Sequence, residues 1–337
     1  MAECVLVTEK EFVKAEHVFA SQPDFDVHSA PTEEHSLADM ILAKKCRAVI
    51  LGVESYNRAL YEALGKTGQD AGAIISRFGV GTDGIDKKLT RKYNIILTNT
   101  PGVLDISVAE HTIWLMGCLA RHVAKLDARV KTERFETITG RELHGLTLGV
   151  IGFGAIGRRV AAMAHFGFGM KVLAADSRPA EELAKQEGKT FDQIKATYGL
   201  STYTDDVDAV LREADVVSVH LPPNAQTLNF FDAQRFSTVK PGAFLVNTSR
   251  GSLVDEQALY DALASGYLAG AGLDVYANEP YEPIRPDKDL RKLSNVVLTP
   301  HVASNTVESN ARTAKVCLKN IASFFSNHLN ELTRADI

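Results

Sequence analysis

At 337 residues the chain has room for two domains of roughly 150 residues each, and 45% hydrophobic with 23% charged residues describes a globular protein able to bury a substantial core. A formal net charge of −5 supplies no field for a polyanion, which speaks against nucleic acid as the main partner. No apolar run approaches the roughly 20 residues of a bilayer span, since the best candidate, 112–119, is soon cut off by Arg121 and His122. In chain order, residues 4–8, 48–51, 73–76 and 95–98 are short runs rich in Val, Ile and Leu and predict four strands, with helices over 33–45 and 59–65 between them. One long helix is expected over about 107–133. A second series of six strands follows at 146–151, 171–175, 216–220, 243–247, 269–274 and 296–299. Strands alternating with helices predict an α/β fold, a parallel sheet covered on both faces. Two long loops, 177–206 with its own helix-like stretch and 276–292 with Pro280, Pro283 and Pro286, are expected to serve function. The last stretch, 307–329, sets Val307, Ala311, Ala314, Cys317, Ile321, Phe324 and Phe325 near one helical face, so it is expected to pack back on the first domain and make it discontinuous.

Glu3, Glu9, Lys10, Glu11 and Lys14 interrupt the apolar pieces of the first 20 residues, which predicts neither a secretory nor a transit peptide. Cys4, Cys46, Cys118 and Cys317 contain no CxxC pair. A cytoplasmic protein with reduced thiols and no metal site is expected.

The strongest local signal is Gly152-Phe153-Gly154-Ala155-Ile156-Gly157, a GxGxxG turn. An expected strand precedes it, and a helix with Val160, Met163, Ala164 and Phe166 follows. A second strand then ends in Asp176, 19 residues beyond Gly157, where a ribose-binding acid belongs. Gly152 permits the tight turn, Gly154 lets backbone approach a pyrophosphate, and Gly157 lets helix and sheet pack closely. The helix N-terminus offers unpaired N–H groups to the phosphates. This predicts a doubly wound Rossmann domain that binds a dinucleotide. Asp176 would accept hydrogen bonds from both ribose hydroxyls and repel a 2′-phosphate, so NAD is expected ahead of NADP; Arg178, two residues on, is the kind of neighbour that accommodates NADP.

Open α/β sheets bind ligands beyond the carboxyl ends of their strands. Polar residues just past the expected strands are His220, Arg250, Asp274 with Glu279, and His301. On the residues alone, the acid/base is open between His220 and His301.

The motifs RFGVGTDGID (77–86), NTPGVLDISVAEHT (99–112), the glycine turn, HLPPNAQT (220–227), NTSRGSLVDEQAL (247–259), GLDVYANEP (272–280) and LTPHVAS (298–304) occur in shared order and spacing. In them the chain resembles the D-isomer-specific 2-hydroxyacid dehydrogenases over almost its whole length. The resemblance implies Arg250, Glu279 and His301 as the catalytic set, with Arg250 and His301 also touching substrate and cofactor. Protonated His301 would give a proton to the substrate oxygen, Glu279 would stabilise the imidazolium, and Arg250 would clamp a 2-oxo acid at two points. Asp274 resembles the residue on the nicotinamide side. The amides of Gly79, Val80 and Gly81 would hold the substrate carboxylate. Ala155, Ile156, His220, Pro222, Thr227, Thr248 and Ser249 would complete the cofactor pocket, while His111 and Trp114 are expected to pack on the inter-domain helix. Two Rossmann-like domains are implied: a flavodoxin-like substrate domain of residues 1–104 plus 305–337, and an NAD-binding domain of 105–304, with hinges near Pro101 and Ser304. A homodimer is implied as well.

The segment 77–86 is most similar to phosphoglycerate dehydrogenase-like members, yet the chain ends soon after the last helix, without room for a regulatory domain. Where several of them carry a phosphate-binding arginine, this chain has Glu54. A small unphosphorylated 2-oxo acid such as glyoxylate or hydroxypyruvate is therefore expected ahead of a 3-phosphoglycerate substrate. Two rivals are a non-enzymatic NAD(H)-sensing corepressor-like protein and a formate dehydrogenase-like enzyme; Glu279 speaks against the latter.

Overall fold

A computed structural model describes residues 2–335. The chain divides into two compact units, Met1–Leu104 with Asn305–Ile337, and Asp105–Ser304. In the first, strands β1 (Glu3–Thr8), β2 (Phe25–Ala30), β3 (Ala48–Leu51), β4 (Ala73–Arg77) and β5 (Ile95–Thr98) form one parallel sheet in the order β2-β1-β3-β4-β5. That is the flavodoxin-like order. Alternate side chains of each strand feed two cores. Val5, Val7 and Ile50 pack with Ala314, Cys317 and Ile321 of the helix Val307–Phe325. Leu6, Val49 and Leu51 pack with Ile41, Leu60 and Leu64.

The expectation of four strands here needs correction. The missed strand is β2, an edge strand whose sequence FDVHSA alternates and buries only Ala30. Lying at the edge and half-covered, it lacks the continuous apolar run that marks its neighbours.

The second unit holds β6 (Thr147–Ile151), β7 (Lys171–Ala175), β8 (Leu200–Thr204), β9 (Val216–Val219), β10 (Phe244–Asn247), β11 (Gly270–Leu273) and β12 (Val296–Leu298). Their order is β12-β11-β10-β9-β6-β7-β8, all parallel. This is a doubly wound dinucleotide-binding sheet extended by one strand, with its switch point between β6 and β9. Seven strands replace the six expected, and the additional one is again at an edge. The segment 177–206, expected as a long loop, is two helices, Ala180–Glu187 and Phe191–Tyr198, followed by β8. Of β8 only Leu200 is buried. The single helix expected over 107–133 is two, Asp105–Arg121 and Val123–Lys131, because His122 sits in the left-handed region at φ 54°.

Candidate active site

The turn after β6 has the shape its glycines allow. Gly152 has φ +94°, and a Cβ there would lie 2.6 Å from the His220 carbonyl oxygen. A Cβ on Gly157 would meet the Gly152 oxygen at 2.3 Å, whereas one on Gly154 would meet nothing within 4 Å. Gly154 therefore faces open space at the N-terminus of the helix Ala155–Ala162, whose first-turn N–H groups have no side-chain cap among the described residues. A backbone cradle of that kind fits a pyrophosphate. Beside it, Asp176 follows β7 and accepts from the Phe153 N–H at 2.7 Å. Burial pushes the Asp176 carboxyl up, but hydrogen bonds from Arg178 and the Arg178 and Phe153 amides, with the Arg178 charge, hold it below the usual range.

His220 follows β9 on the other side of the switch point. Its Nε2 bonds Ser218 Oγ at 2.8 Å, and its buried Nδ1 has no partner among the described residues. Burial pushes the imidazole down to about 3, so the ring is neutral near pH 7. A neutral wall of the pocket suits it better than a proton donor.

Arg250, Glu279 and His301 come together because they follow β10, β11 and β12, three neighbouring strands of one parallel sheet. Gly251 makes the first approach possible: a Cβ there would fall 1.9 Å from the Tyr276 carbonyl carbon. The loop after β10 thus lies directly on the loop carrying Glu279. Arg250 donates from one terminal nitrogen to the Ser249 carbonyl at 2.8 Å, and Asn247 Nδ2 holds the Arg250 carbonyl at 2.9 Å.

Glu279 Oε1 accepts from the Tyr276 N–H at 3.0 Å, and Oε2 lies 2.6 Å from His301 Nδ1. Burial pushes the Glu279 carboxyl up, yet the His301 hydrogen bond and charge, the Tyr276 amide and the Arg250 charge carry it below the usual range. An ionised carboxylate only accepts, so Nδ1 carries the proton of that bond and Nε2 is the nitrogen that can exchange one with a ligand. Both side chains remain about one-third exposed, open enough to meet a substrate.

His301 is held by its backbone. It sits at φ 53°, a conformation that costs a residue other than glycine energy and needs fixed neighbours. Its N–H donates to the Asp274 carbonyl at 2.8 Å. The buried Asp274 carboxylate accepts from Thr299 Oγ1 (2.6 Å), the Val302 N–H (2.9 Å) and the Ala303 N–H (2.8 Å). Asp274 therefore ties down the 299–303 turn with its side chain.

Because Thr299 gives its single hydroxyl proton to Asp274, His111 Nε2, 3.0 Å away, donates to Thr299. His111 is thus part of a polar chain ending at the His301 turn, and the expectation that it merely packs is corrected. Trp114 does not pack either; it is 70% exposed.

Sequence reading missed Glu256, a buried carboxylate whose Oε1 accepts from the Ala277 N–H at 2.7 Å and so braces the same loop. Its only sequence signal is its place right after Asp255, which caps the helix Glu256–Ala264.

The expected pocket hydroxyls are engaged with the scaffold. Thr227 Oγ1 donates to the Pro222 carbonyl at 2.7 Å, Thr248 Oγ1 pairs with Thr112 Oγ1 at 2.8 Å, and Ser249 Oγ donates to the Val219 carbonyl at 2.8 Å. Gly79, Val80 and Gly81 belong to the other unit, just past β4. There Gly79, at φ 138°, donates its N–H to the Arg77 carbonyl at 2.9 Å, which leaves the amides of Val80 and Gly81 as the candidates for a ligand.

Residues 113–303 match the family described as "D-isomer specific 2-hydroxyacid dehydrogenase, NAD binding domain". A glyoxylate reductase of Korarchaeum cryptofilum is 34% identical over 325 residues, covering 94% of this chain and 90% of that protein. Among solved structures, D-lactate dehydrogenase with NAD+ from Lactobacillus jensenii is 26% identical with a TM-score of 0.74, covering 96% of this chain and 97% of that one. The NADPH-dependent glyoxylate/hydroxypyruvate reductase of Sinorhizobium meliloti, in complex with NADP and malonate, is 28% identical with a TM-score of 0.77, covering 97% of this chain and 94% of that one. With the paired sheets and the glycine cradle, these matches place the chain in the D-isomer-specific 2-hydroxyacid dehydrogenase family, NAD(P)-dependent oxidoreductases acting on CH–OH groups.

Proposed function

We propose that the protein reduces a small unphosphorylated 2-oxo acid to its D-2-hydroxy acid with NADH, and runs the reverse reaction with NAD+. The observation that carries this reading is the 2.6 Å contact between His301 Nδ1 and Glu279 Oε2 beside Arg250. When bound, the reduced nicotinamide supplies a hydride to the ketone carbon. His301 Nε2 gives the proton that the carbonyl oxygen takes up, and Glu279 balances the positive ring until it does. The Arg250 fork holds the substrate carboxylate and carbonyl oxygen together, which a point donor does poorly. In the oxidative direction neutral His301 takes the hydroxyl proton. The unit formed by residues 1–104 and 305–337 has the substrate role in this reading. NAD is preferred because an ionised Asp176 at the ribose repels a 2′-phosphate.

An unphosphorylated substrate is favoured by Glu54. Burial pushes its carboxyl up, but the 2.7 Å bond and the charge of Lys10 hold it below the usual range, so an anion stands just past β3. The Glu54–Lys10 pair offers a substrate phosphate no excess positive charge at this position. The test is NADH consumption with glyoxylate, hydroxypyruvate and phosphohydroxypyruvate, with the chirality of the products. Faster turnover of the unphosphorylated acids to D products is expected. Faster turnover of phosphohydroxypyruvate would favour the 3-phosphoglycerate reading, and NADH binding without turnover the sensor reading.

Glu279→Gln should lower kcat for ketone reduction, because the ring that gives the proton loses its counter-charge, and should alter the acid side of the pH profile. A pH–rate profile identical to wild type would remove the pairing from the mechanism. The sign on the acid side follows from the lowered Glu279 carboxyl. The ion pair is formed above the ordinary value of 4.5 and is lost only as pH falls through the depressed one.

A homodimer is proposed through the Asp105–Ser304 unit, which leaves Trp114, Phe135 and Phe166 at least 65% exposed. Light scattering should give twice 36.7 kDa, and Trp114→Glu should lower that mass toward the monomer.

A further inference from the structure

The helix Asp105–Arg121 lies against β11, the strand between β10, which leads to Arg250, and β12, which leads to His301. It can lie so close because β11 turns glycines toward it. A Cβ on Gly272 would stand 3.1 Å from the Leu115 Cβ, and one on Gly270 would stand 3.2 Å from a Leu119 methyl carbon. A helix seated on the middle strand can reach the loops on both sides. One turn before Leu115, on the same face, stand His111 and Thr112.

These two neighbours hold different loops. His111 Nε2 donates to Thr299 Oγ1 at 3.0 Å, and Thr299 passes its own proton to Asp274. The Asp274 carboxylate in turn binds the Val302 and Ala303 amides, so the tether brackets His301. Thr112 is fully buried and gives its hydroxyl proton to the Val108 carbonyl at 2.8 Å. At its 2.8 Å contact with Thr248 Oγ1 it can therefore only accept, and Thr248 donates to the helix two residues before Arg250. The Asn247 side chain closes that loop on itself, from Nδ2 to the Arg250 carbonyl at 2.9 Å and from the Ser249 N–H to Oδ1 at 3.0 Å. A tether at 248 thus locates Arg250.

We infer that His111 and Thr112 are positioning residues that set the distance between the proton donor and the substrate clamp, each fixing one of the two loops to the same helix turn. The inference rests on the roles proposed above for His301 and Arg250. It adds that both are registered against one rigid element, so each can be disturbed without the other. A displaced proton donor costs the chemical step, whereas a displaced clamp costs substrate binding.

The test compares full-length His111→Phe and Thr112→Val, which remove the hydrogen bonds, with His111→Gln and Thr112→Ser, which keep them. His111→Phe should lower kcat for 2-oxo acid reduction by about three- to tenfold, the net worth of one hydrogen bond, with KM nearly unchanged. Thr112→Val should raise KM by a similar factor with kcat nearly unchanged. The glutamine and serine variants should restore wild-type values. Hydrogen–deuterium exchange should quicken at 299–303 alone in His111→Phe and at 247–251 alone in Thr112→Val. If His111→Phe destabilises the unit, His111→Asn, too short to reach Thr299, takes its place. The same kinetic change in both variants, or exchange that rises over both loops together or over neither, would overturn the inference. If wild type reduces no 2-oxo acid, the roles of His301 and Arg250 fail, and the exchange pattern still decides whether the pair holds the two loops.

Discussion

His301→Gln should lower kcat for 2-oxo acid reduction by about 10²- to 10⁴-fold, the range for removing a positioned proton donor, with NADH affinity unchanged. Glutamine can still donate an N–H to Glu279, so the turn and the carboxylate keep a partner; what is lost is the ring nitrogen that passes a proton to the substrate. The loss should fall on kcat and kcat/KM alike, as for an interaction made only in the transition state. Steady-state kinetics paired with NADH fluorescence titration separates this from misfolding. Wild-type kcat in His301→Gln would exclude the proposed proton donor. His220 would not fill the vacancy, since burial holds its ring neutral.

Arg250→Lys should weaken catalysis by about 1.5 to 3 kcal/mol, the scale of hydrogen bonds to charged groups, mainly as a rise in KM. The lysine keeps the charge that helps hold Glu279 ionised but loses the fork. Arg250→Ala loses both, so the Glu279 carboxyl should move upward and reduction should also fail earlier on the acid side. Gly251 sharpens the contrast, because its close contact with Tyr276 fixes where residue 250 stands. Steady-state kinetics for both variants across pH tests this. Wild-type KM in Arg250→Lys would remove the two-point clamp.

Much of the fold was legible because the central strands are buried on both faces. Runs such as AVIL of β3 and VVSV of β9 need no tertiary information to be recognised. The two missed strands, β2 and β8, lie at sheet edges, where one partner and partial cover tolerate residues such as His28, Ser29 and Thr202. The break at His122 has no proline or glycine to announce it; it is a left-handed residue between two helices. At the site, the positions of Arg250, Glu279 and His301 just past expected strands were legible, whereas the network behind them was not. His111 precedes Thr299 by 188 residues, and only the folded sheet brings the two into hydrogen-bonding distance. The Asp176–Arg178 contact shows the opposite case: the residues are two apart in sequence, but which lone pairs are filled is a matter of geometry.

The most direct test is a crystal structure with NAD+ and a 2-oxo acid, a pair that cannot react. The expected result is His301 Nε2 within about 3 Å of the ketone oxygen, with the Arg250 fork on the carboxylate and ketone oxygens. An oxo acid bound out of reach of His301, or a ring at 301 turned away from Glu279, would contradict the proposed chemistry.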